Sequence, residues 1–156
     1  MKECDLNRQM ELARNLIEQT GTSLFLTGKA GTGKTTFLRK LREHSNKQIV
    51  VTAPTGIAAI NAGGVTLHSF FQLDFGPFIP GAKRVSSHGA HRFNKLKRQI
   101  IRGMDLLVID EVSMVRADLL DAVDDVLRRF RDRSKPFGGV QLLLKARGMV
   151  AALLAL

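Results

Sequence analysis

The sequence lacks several residue types, and each absence excludes a class of protein. Among its 156 residues there is one cysteine, Cys4, and neither tryptophan nor tyrosine. A single cysteine excludes an internal disulfide and suits a reducing compartment. Cys4 stands between Glu3 and Asp5, whose negative charges disfavour the thiolate that a catalytic cysteine needs. We therefore expect neither a disulfide-stabilised secreted protein nor a thiol enzyme.

Long apolar runs and a targeting segment are missing as well. The final apolar run, residues 149–156, is eight residues long, whereas a helix needs about 20 apolar residues to cross a bilayer. The opening residues mix both charge signs and contain no apolar core segment, which argues against a secretory signal or an acid-poor transit peptide. We predict a cytoplasmic protein without membrane contact.

Acidic residues are absent from one stretch of this basic chain. The net charge is +10, and no Asp or Glu lies between Asp74 and Asp105. The basic residues in that stretch are Lys83, Arg84, Lys95, Lys97, Arg98, Arg92 and Arg102. Such a block favours a polyanionic partner. Charge alone equally allows a solvated basic loop and helix face.

The remaining sequence predicts one α/β domain. Apolar runs that read as strands alternate with segments of helical period, which is typical of a parallel sheet flanked by helices. We predict strands at residues 23–27, 48–52, 105–110 and 140–144, and helices near residues 10–17, 34–44, 55–61, 93–102 and 117–131. The strand at 105–110 should be central, because its consecutive apolar side chains would otherwise face water on both sides.

A glycine-rich motif between the first strand and the next helix predicts a nucleotide site. Residues 28–35, GKAGTGKT, match the pattern G-x-x-x-x-G-K-[ST]. Its glycines allow positive φ and bring backbone N–H groups to phosphate oxygens, while the helix N-terminus adds positive charge. Lys34 would bind the β- and γ-phosphates of ATP, and the Thr35 hydroxyl would bind Mg²⁺. The predicted nucleotide-binding residues here are Gly28, Ala30, Gly31, Thr32, Gly33, Lys34, Thr35 and Thr36.

Two adjacent acids, Asp110 and Glu111, end the predicted central strand. A carboxylate at the carboxyl edge of such a sheet is exposed, next to the phosphate loop. Asp110 would hold Mg²⁺, directly or through water, and Glu111 would orient and deprotonate the attacking water. A pair of acids after an apolar run can also be a helix N-cap, but the upstream phosphate loop favours catalysis. We predict Lys34, Asp110 and Glu111 as catalytic residues.

Three segments together make the chain resemble a known family. GKAGTGKT, APTGIAAINAGGVTLHSFF and IDEVSMV stand in this order, at residues 28–35, 53–71 and 109–115. Over roughly residues 24–144 the chain resembles the Pif/RecD-like (Pif-one) group of superfamily 1 DNA helicases. The resemblance implies a RecA-like P-loop NTPase fold, ATP hydrolysis coupled to movement on single-stranded DNA, and work in DNA repair and recombination.

The resemblance also assigns DNA-binding residues. By position in the family motifs they are Pro54, Thr55, Gly56, Thr66 and His68. Hydroxyls and unhindered backbone N–H groups of this kind position a DNA strand without reading its bases. For His68 a structural hydrogen bond that ties its loop to the sheet is the alternative. Phe70 and Phe71 are expected in the core.

One further nucleotide contact is implied by the resemblance alone. These helicases often recognise adenine through a glutamine upstream of the phosphate loop, and Gln9 stands there. A solvated position on the first helix is the alternative for Gln9. We expect no small-molecule substrate other than ATP.

The last residues depart from the family pattern. After FGGVQLLL the family continues with a Gly-Asp pair and a glutamine that senses the γ-phosphate, whereas this chain reads KARGMVAALLAL. We therefore expect a motor domain at residues 1–144 and an atypical tail at 145–156, the result of truncation or a frameshift, leaving the fold incomplete at its C-terminus. Slow ATP hydrolysis and no unaided unwinding would follow. Another P-loop enzyme, such as a small-molecule kinase, and a non-enzymatic nucleotide- or DNA-binding domain are the alternatives.

Overall fold

A computed structural model describes residues 3–81, 93–148 and 152–155. The helices are α1 (Glu3–Gln19), α2 (Lys34–His44), α3 (Gly56–Ala62), α4 (Leu67–Phe71), α5 (Lys95–Gly103) and α6 (Ala117–Phe130). The strands are β1 (Leu24–Thr27), β2 (Ile49–Ala53), β3 (Val65–Thr66), β4 (Leu106–Ile109), β5 (Gln141–Lys145) and β6 (Ala152–Ala155). The predicted elements are all found, and most of their ends shift by only one or two residues.

The strands form one sheet with the order β3-β2-β4-β5-β1-β6. Strands β1 to β5 run parallel, and β6 runs antiparallel to β1. All four residues of β4 are buried, as the prediction of a central strand requires. The α/β fold with a parallel sheet is therefore confirmed.

Helices cover both faces of the sheet because β4 is apolar on both sides. Leu106 and Val108 join the core formed with α1 and α2, and Leu107 and Ile109 join the core formed with α4, α5 and α6. Successive strand residues point to opposite faces, so this run of four needs cover on both. Phe70 and Phe71 are buried in the second core, where ordinary packing was expected for them.

The basic stretch is described only in part. Lys83, Arg84 and Arg92 lie outside the described residues. The other four basic residues, Lys95, Lys97, Arg98 and Arg102, belong to α5. The Asn94 side chain caps the N-terminus of α5 by accepting a hydrogen bond from the backbone N–H of Lys97 at 2.7 Å. Within the part of the chain that the structure describes, no helix is long and apolar enough to span a bilayer.

The segment after residue 144 continues the sheet. β5 includes Lys145, and beyond it the backbone N–H of Ala146 donates to the Leu26 carbonyl at 3.0 Å, and that of Gly148 to the Gly28 carbonyl at 3.1 Å. Residues 149–151 and 156 lie outside the described residues, and β6 pairs with β1. The division between a motor domain and a tail at residue 144 stays a prediction.

Candidate functional site

The parallel sheet brings the predicted site residues to one edge. The glycine-rich loop follows β1, Pro54 and Thr55 follow β2, and Asp110 follows β4. Because the carboxyl ends of parallel strands meet at the same edge, these segments become neighbours in space. Ligands of open α/β sheets bind at this edge.

The glycine-rich loop has the backbone that its sequence predicts. Gly31 has φ 82° and Gly33 has φ 80°. This left-handed backbone conformation is unfavourable for residues that have a Cβ atom. Gly33 is the N-cap of α2. The loop therefore turns its backbone onto the start of a helix, an arrangement that suits a phosphate group.

Lys34 is folded back onto the loop that carries it. Its side chain is buried, and Nζ donates hydrogen bonds to the Gly28 carbonyl, to the Lys29 carbonyl at 2.7 Å and to Thr32 Oγ1 at 3.0 Å. Burial lowers the pKa of Lys34 below its ordinary value of 10.5, and the nearby charges of Lys145 and Arg147 lower it further. If a phosphate bound here, Lys34 Nζ would exchange its carbonyl acceptors for negatively charged phosphate oxygens, which form stronger hydrogen bonds.

Asp110 and Glu111 are adjacent in the chain but differ in exposure. Asp110 is buried, contrary to the exposed carboxylate expected at this edge, because Lys145 Nζ donates to Asp110 Oδ2 at 2.8 Å and covers it. Asp110 Oδ1 accepts from the backbone N–H of Glu111 at 2.8 Å. Glu111 is half-buried with φ 49°, and strained backbone of this kind clusters at functional sites. Its Oε1 accepts from Arg147 Nε at 3.1 Å.

A cleft of about 810 Å³ joins these groups. Most predicted nucleotide-binding and catalytic residues line it: Ala30, Gly31, Thr32, Gly33, Lys34, Thr35, Thr36, Asp110 and Glu111. The Gly28 carbonyl accepts a hydrogen bond from Lys34 Nζ. We call this space the nucleotide cleft. Gln9 is half-buried on α1 and is not one of the described residues that line the nucleotide cleft.

Three polar residues of the nucleotide cleft were not predicted from the sequence. Asn61 comes from α3, and Lys145 and Arg147 come from the end of β5 and the residues after it. The sequence signal for Lys145 was its place directly after a predicted strand beside the Asp110 strand. In the sequence, Lys145 and Arg147 indicate only that the apolar run is interrupted.

A second cleft, of about 480 Å³, lies beside the first. Pro54, Thr55 and His68 line it, together with Phe75, which is 94% exposed. The His68 and Phe75 rings stack with centroids 5.0 Å apart and planes 11° apart. We call this the aromatic cleft. Thr55 and Met114 line both clefts.

The remaining predicted DNA contacts begin or cap short helices. Gly56 is exposed at the first position of α3, and the Thr55 side chain accepts a hydrogen bond from the Ala58 N–H at 3.2 Å. Thr66 caps α4, since its hydroxyl oxygen accepts from the Ser69 N–H at 3.2 Å. Both threonine hydroxyls keep a donor hydrogen, so each can still donate to a phosphate oxygen. Gly56 and Thr66 are not among the described residues that line the aromatic cleft.

Comparison with known proteins gives consistent matches. The family model described as PIF1-like helicase matches residues 7–147. The ATP-dependent DNA helicase PIF1 of Emericella nidulans is 40% identical over 145 residues, which cover 87% of this chain and 18% of that protein. The crystal structure of Bacteroides Pif1 bound to ssDNA matches with 48% identity and a TM-score of 0.81, over 91% of this chain and 32% of that chain. Bacteroides Pif1 in complex with ADP-AlF4 matches with 48% identity and a TM-score of 0.80, over 89% and 31%. The chain thus spans less than a fifth of the length of the curated relative.

Proposed function

This chain belongs to the PIF1-like helicase family, and from that membership we propose that it is an ATP-binding and ATP-hydrolysing motor domain that holds single-stranded DNA next to its nucleotide. Its curated relatives are ATP-dependent DNA helicases. Unwinding needs parts that move against each other around the nucleotide. The proposed activity of the 156 residues alone is therefore ATP turnover without unaided unwinding.

The nucleotide cleft supports ATP as the ligand. The related Bacteroides protein binds ADP-AlF4. In this chain the loop that follows β1 presents backbone N–H groups at the start of α2, and Lys34 Nζ lies within hydrogen-bond distance of the loop carbonyls. We expect Lys34 to leave these carbonyls and bind the terminal phosphates. The role of Gln9 in adenine recognition stays a prediction.

Glu111 is the residue best placed to orient and deprotonate a water molecule. It is half-buried at the mouth of the nucleotide cleft. Its partner Arg147 has a side chain that is 73% exposed, and an exposed ion pair contributes only about 0–1 kcal/mol. Glu111 can therefore exchange Arg147 for a water molecule at little cost.

The predicted Mg²⁺ site fits this chain only in part. The Thr35 hydroxyl is an exposed oxygen donor in the nucleotide cleft, and Mg²⁺ prefers oxygen ligands. Asp110 does not fit as a direct ligand in this arrangement, because a lysine ammonium lies 2.8 Å from Oδ2 and a backbone N–H lies 2.8 Å from Oδ1. Both carboxylate oxygens thus face donors rather than a cation site.

The aromatic cleft supports single-stranded DNA as the second ligand. The related Bacteroides protein binds ssDNA. In this chain Thr55 and His68 lie beside the exposed ring of Phe75, and aromatic rings of this kind stack on nucleotide bases irrespective of sequence. Phe75 therefore joins Pro54, Thr55, Gly56, Thr66 and His68 as a proposed DNA contact. The imidazole of His68 stacks on the Phe75 ring, and its contact with DNA is part of this proposal.

The observation that carries the proposal is the sharing of residues between the two clefts. Thr55 and Met114 face both, and Met114 lies in the short turn Val112–Met114 that directly follows Glu111. A movement of residues around the γ-phosphate would thus reach the aromatic cleft through Thr55 and Met114. Coupling between ATP and DNA is what a translocating motor requires.

Phosphate release with and without a single-stranded oligonucleotide tests the proposal. We expect the DNA to stimulate release, and we expect Lys34→Ala to abolish it because the terminal phosphates lose their cation. Lys40→Ala, an exposed lysine on the same helix, is the matched control and should retain the rate. Equal rates for the unaltered chain and Lys34→Ala would contradict the proposal.

One observation favours a second candidate function, a domain that binds nucleotide and DNA without hydrolysis. Both carboxylates needed for catalysis are paired with cations, Asp110 with Lys145 and Glu111 with Arg147. In that case DNA and nucleotide would bind, and no phosphate would be released above the level of Lys34→Ala. The same experiment separates the two functions. The cytoplasmic location stays a prediction.

A further inference from the structure

Two cations from one segment neutralise both acids of the nucleotide cleft. The Lys145 ammonium lies 2.8 Å from Asp110 Oδ2, and both side chains are less than a tenth exposed, at 8% and 9%. The Arg147 guanidinium lies 3.1 Å from Glu111 Oε1 at the surface. The two pairs therefore differ in depth: one is enclosed and the other is open to solvent.

The pairing of Lys145 with Asp110 follows from strand register. β4 and β5 run parallel with Ile109 opposite Leu144. The residues that directly follow this pair, Asp110 after β4 and Lys145 within β5, therefore lie side by side. Removing one member of a buried ion pair is strongly destabilising, because the other charge is left buried without a partner. The sheet register and this cost together hold the Lys145 ammonium at Asp110.

The charge balance of the cleft equals that of a cleft with a divalent cation. Lys34, Lys145 and Arg147 oppose Asp110 and Glu111, which leaves one net positive charge. One lysine and one divalent cation beside the same two carboxylates would also leave one. The Lys145 ammonium occupies Asp110 Oδ2, an oxygen that a directly bound metal ion would need.

We propose that Lys145 is a built-in counter-ion that takes the place of a divalent cation at Asp110, so that this cleft binds a nucleoside triphosphate with little dependence on Mg²⁺. The inference rests on the proposed function, since it assumes that the nucleotide cleft binds ATP. Arg147 supports it by neutralising Glu111 at the cleft mouth, which lowers the repulsion that the triphosphate would otherwise meet.

The test is the binding of a non-hydrolysable ATP analogue, measured by titration calorimetry in Mg²⁺ and in EDTA. For the unaltered chain we expect the dissociation constant to change by less than about threefold, which corresponds to less than about 0.65 kcal/mol. For Lys145→Met we expect binding in EDTA to weaken about tenfold or more, because Asp110 then repels the phosphates. Mg²⁺ should restore it.

A second variant keeps the test decisive if Lys145→Met fails to fold. In the double variant Asp110→Asn with Lys145→Met both charges are gone and the net charge of the cleft is unchanged. We expect it to bind the analogue equally well in Mg²⁺ and in EDTA. Lys47→Met is the matched control, because Lys47 Nζ bonds Gln141 at the opposite end of β5, at 2.7 Å, and its loss should leave the Mg²⁺ dependence unchanged.

Two results would overturn the inference. If EDTA weakens binding to the unaltered chain about tenfold, as much as it does in Lys145→Met, then Lys145 does not replace the metal, although nucleotide binding itself stands. If no analogue binds in either condition, the proposed nucleotide site fails and the inference fails with it.

Discussion

At the scale of the residue, Gly64 determines where the segment with the predicted DNA contacts lies. A Cβ at this position would lie 2.2 Å from the Val51 carbonyl oxygen and 2.7 Å from its carbon. These are backbone atoms of β2, which lies between β3 and β4 and cannot move away. Gly64 thus lets β3 approach β2 and brings Thr66 and His68 to the carboxyl edge.

Gly64→Ala should destabilise the fold and weaken DNA binding. Overpacking of this kind costs about 1–3 kcal/mol, and here it forces β3 away from β2. The free energy of unfolding, measured by denaturant titration, checks the effect. Gly21→Ala is the matched control, because a Cβ there meets nothing within 4 Å and should leave the midpoint unchanged. Equal midpoints for the two variants would contradict the close approach.

At the scale of the element, α6 holds the loop that carries Phe75. The backbone N–H of Phe78 donates to Asp118 Oδ2 at 3.1 Å, and Arg116 Nε donates to Oδ1 at 2.8 Å. The hydrogen bonds from the Arg116 side chain and then the Phe78 N–H hold the pKa of Asp118 well below its usual range. The start of α6 therefore anchors the outer wall of the aromatic cleft.

Removing the charge of Asp118 should loosen this wall. A carboxylate with a lowered pKa stabilises the fold fully above its unfolded pKa of about 3.9, and the stabilisation is lost as pH falls through the lower folded value. Asp118→Asn should thus speed amide exchange of Phe78 at neutral pH, and the unaltered chain should show the same effect only in acid below pH ~3.9. Asp121→Asn, exposed on the same helix, should leave exchange of Phe78 unchanged. Slow exchange in both variants would show that Asp118 does not anchor the loop.

The elements themselves were largely predictable, whereas the contacts between them were not. The apolar period located α2, which buries one face, and the unbroken apolar run located β4, which is buried on both faces. The two-residue strand β3 is too short to show a period, and β6 lies in a run that reads as neither strand nor helix. The Lys145–Asp110 pair joins residues 35 apart, and its existence depends on register, which local pattern does not specify.

At the scale of the whole molecule, the nucleotide and aromatic clefts are neighbours along one sheet edge with shared walls. Thr55 and Met114 line both clefts. Met114 is 59% exposed, so its side chain can follow a change in either cleft. Reciprocal effects of two ligands on each other are required whenever one alters the site of the other.

We expect nucleotide and single-stranded DNA to alter each other's affinity, by about fivefold or more. Met114→Ala should reduce this mutual effect while each ligand alone binds as before, because the residue links the clefts without holding a charge. Fluorescence anisotropy of a labelled oligonucleotide, with and without nucleotide, measures it. Ile60→Ala, an exposed apolar residue of α3 that lines neither cleft, is the control. If the unaltered chain bound the oligonucleotide with the same affinity with and without nucleotide, the predicted coupling would be wrong.

The pairing of β6 with β1 has a consequence for the chain in solution. β1 leads into the glycine-rich loop, and on one side it pairs with β5. Without a neighbour on the other side, its backbone N–H and C=O groups would form an open edge to which a strand of another molecule can add. Leu24 to Thr27 pair instead with Ala152 to Ala155 of the same chain. The strand that carries the phosphate-binding loop is thereby protected from intermolecular pairing and aggregation.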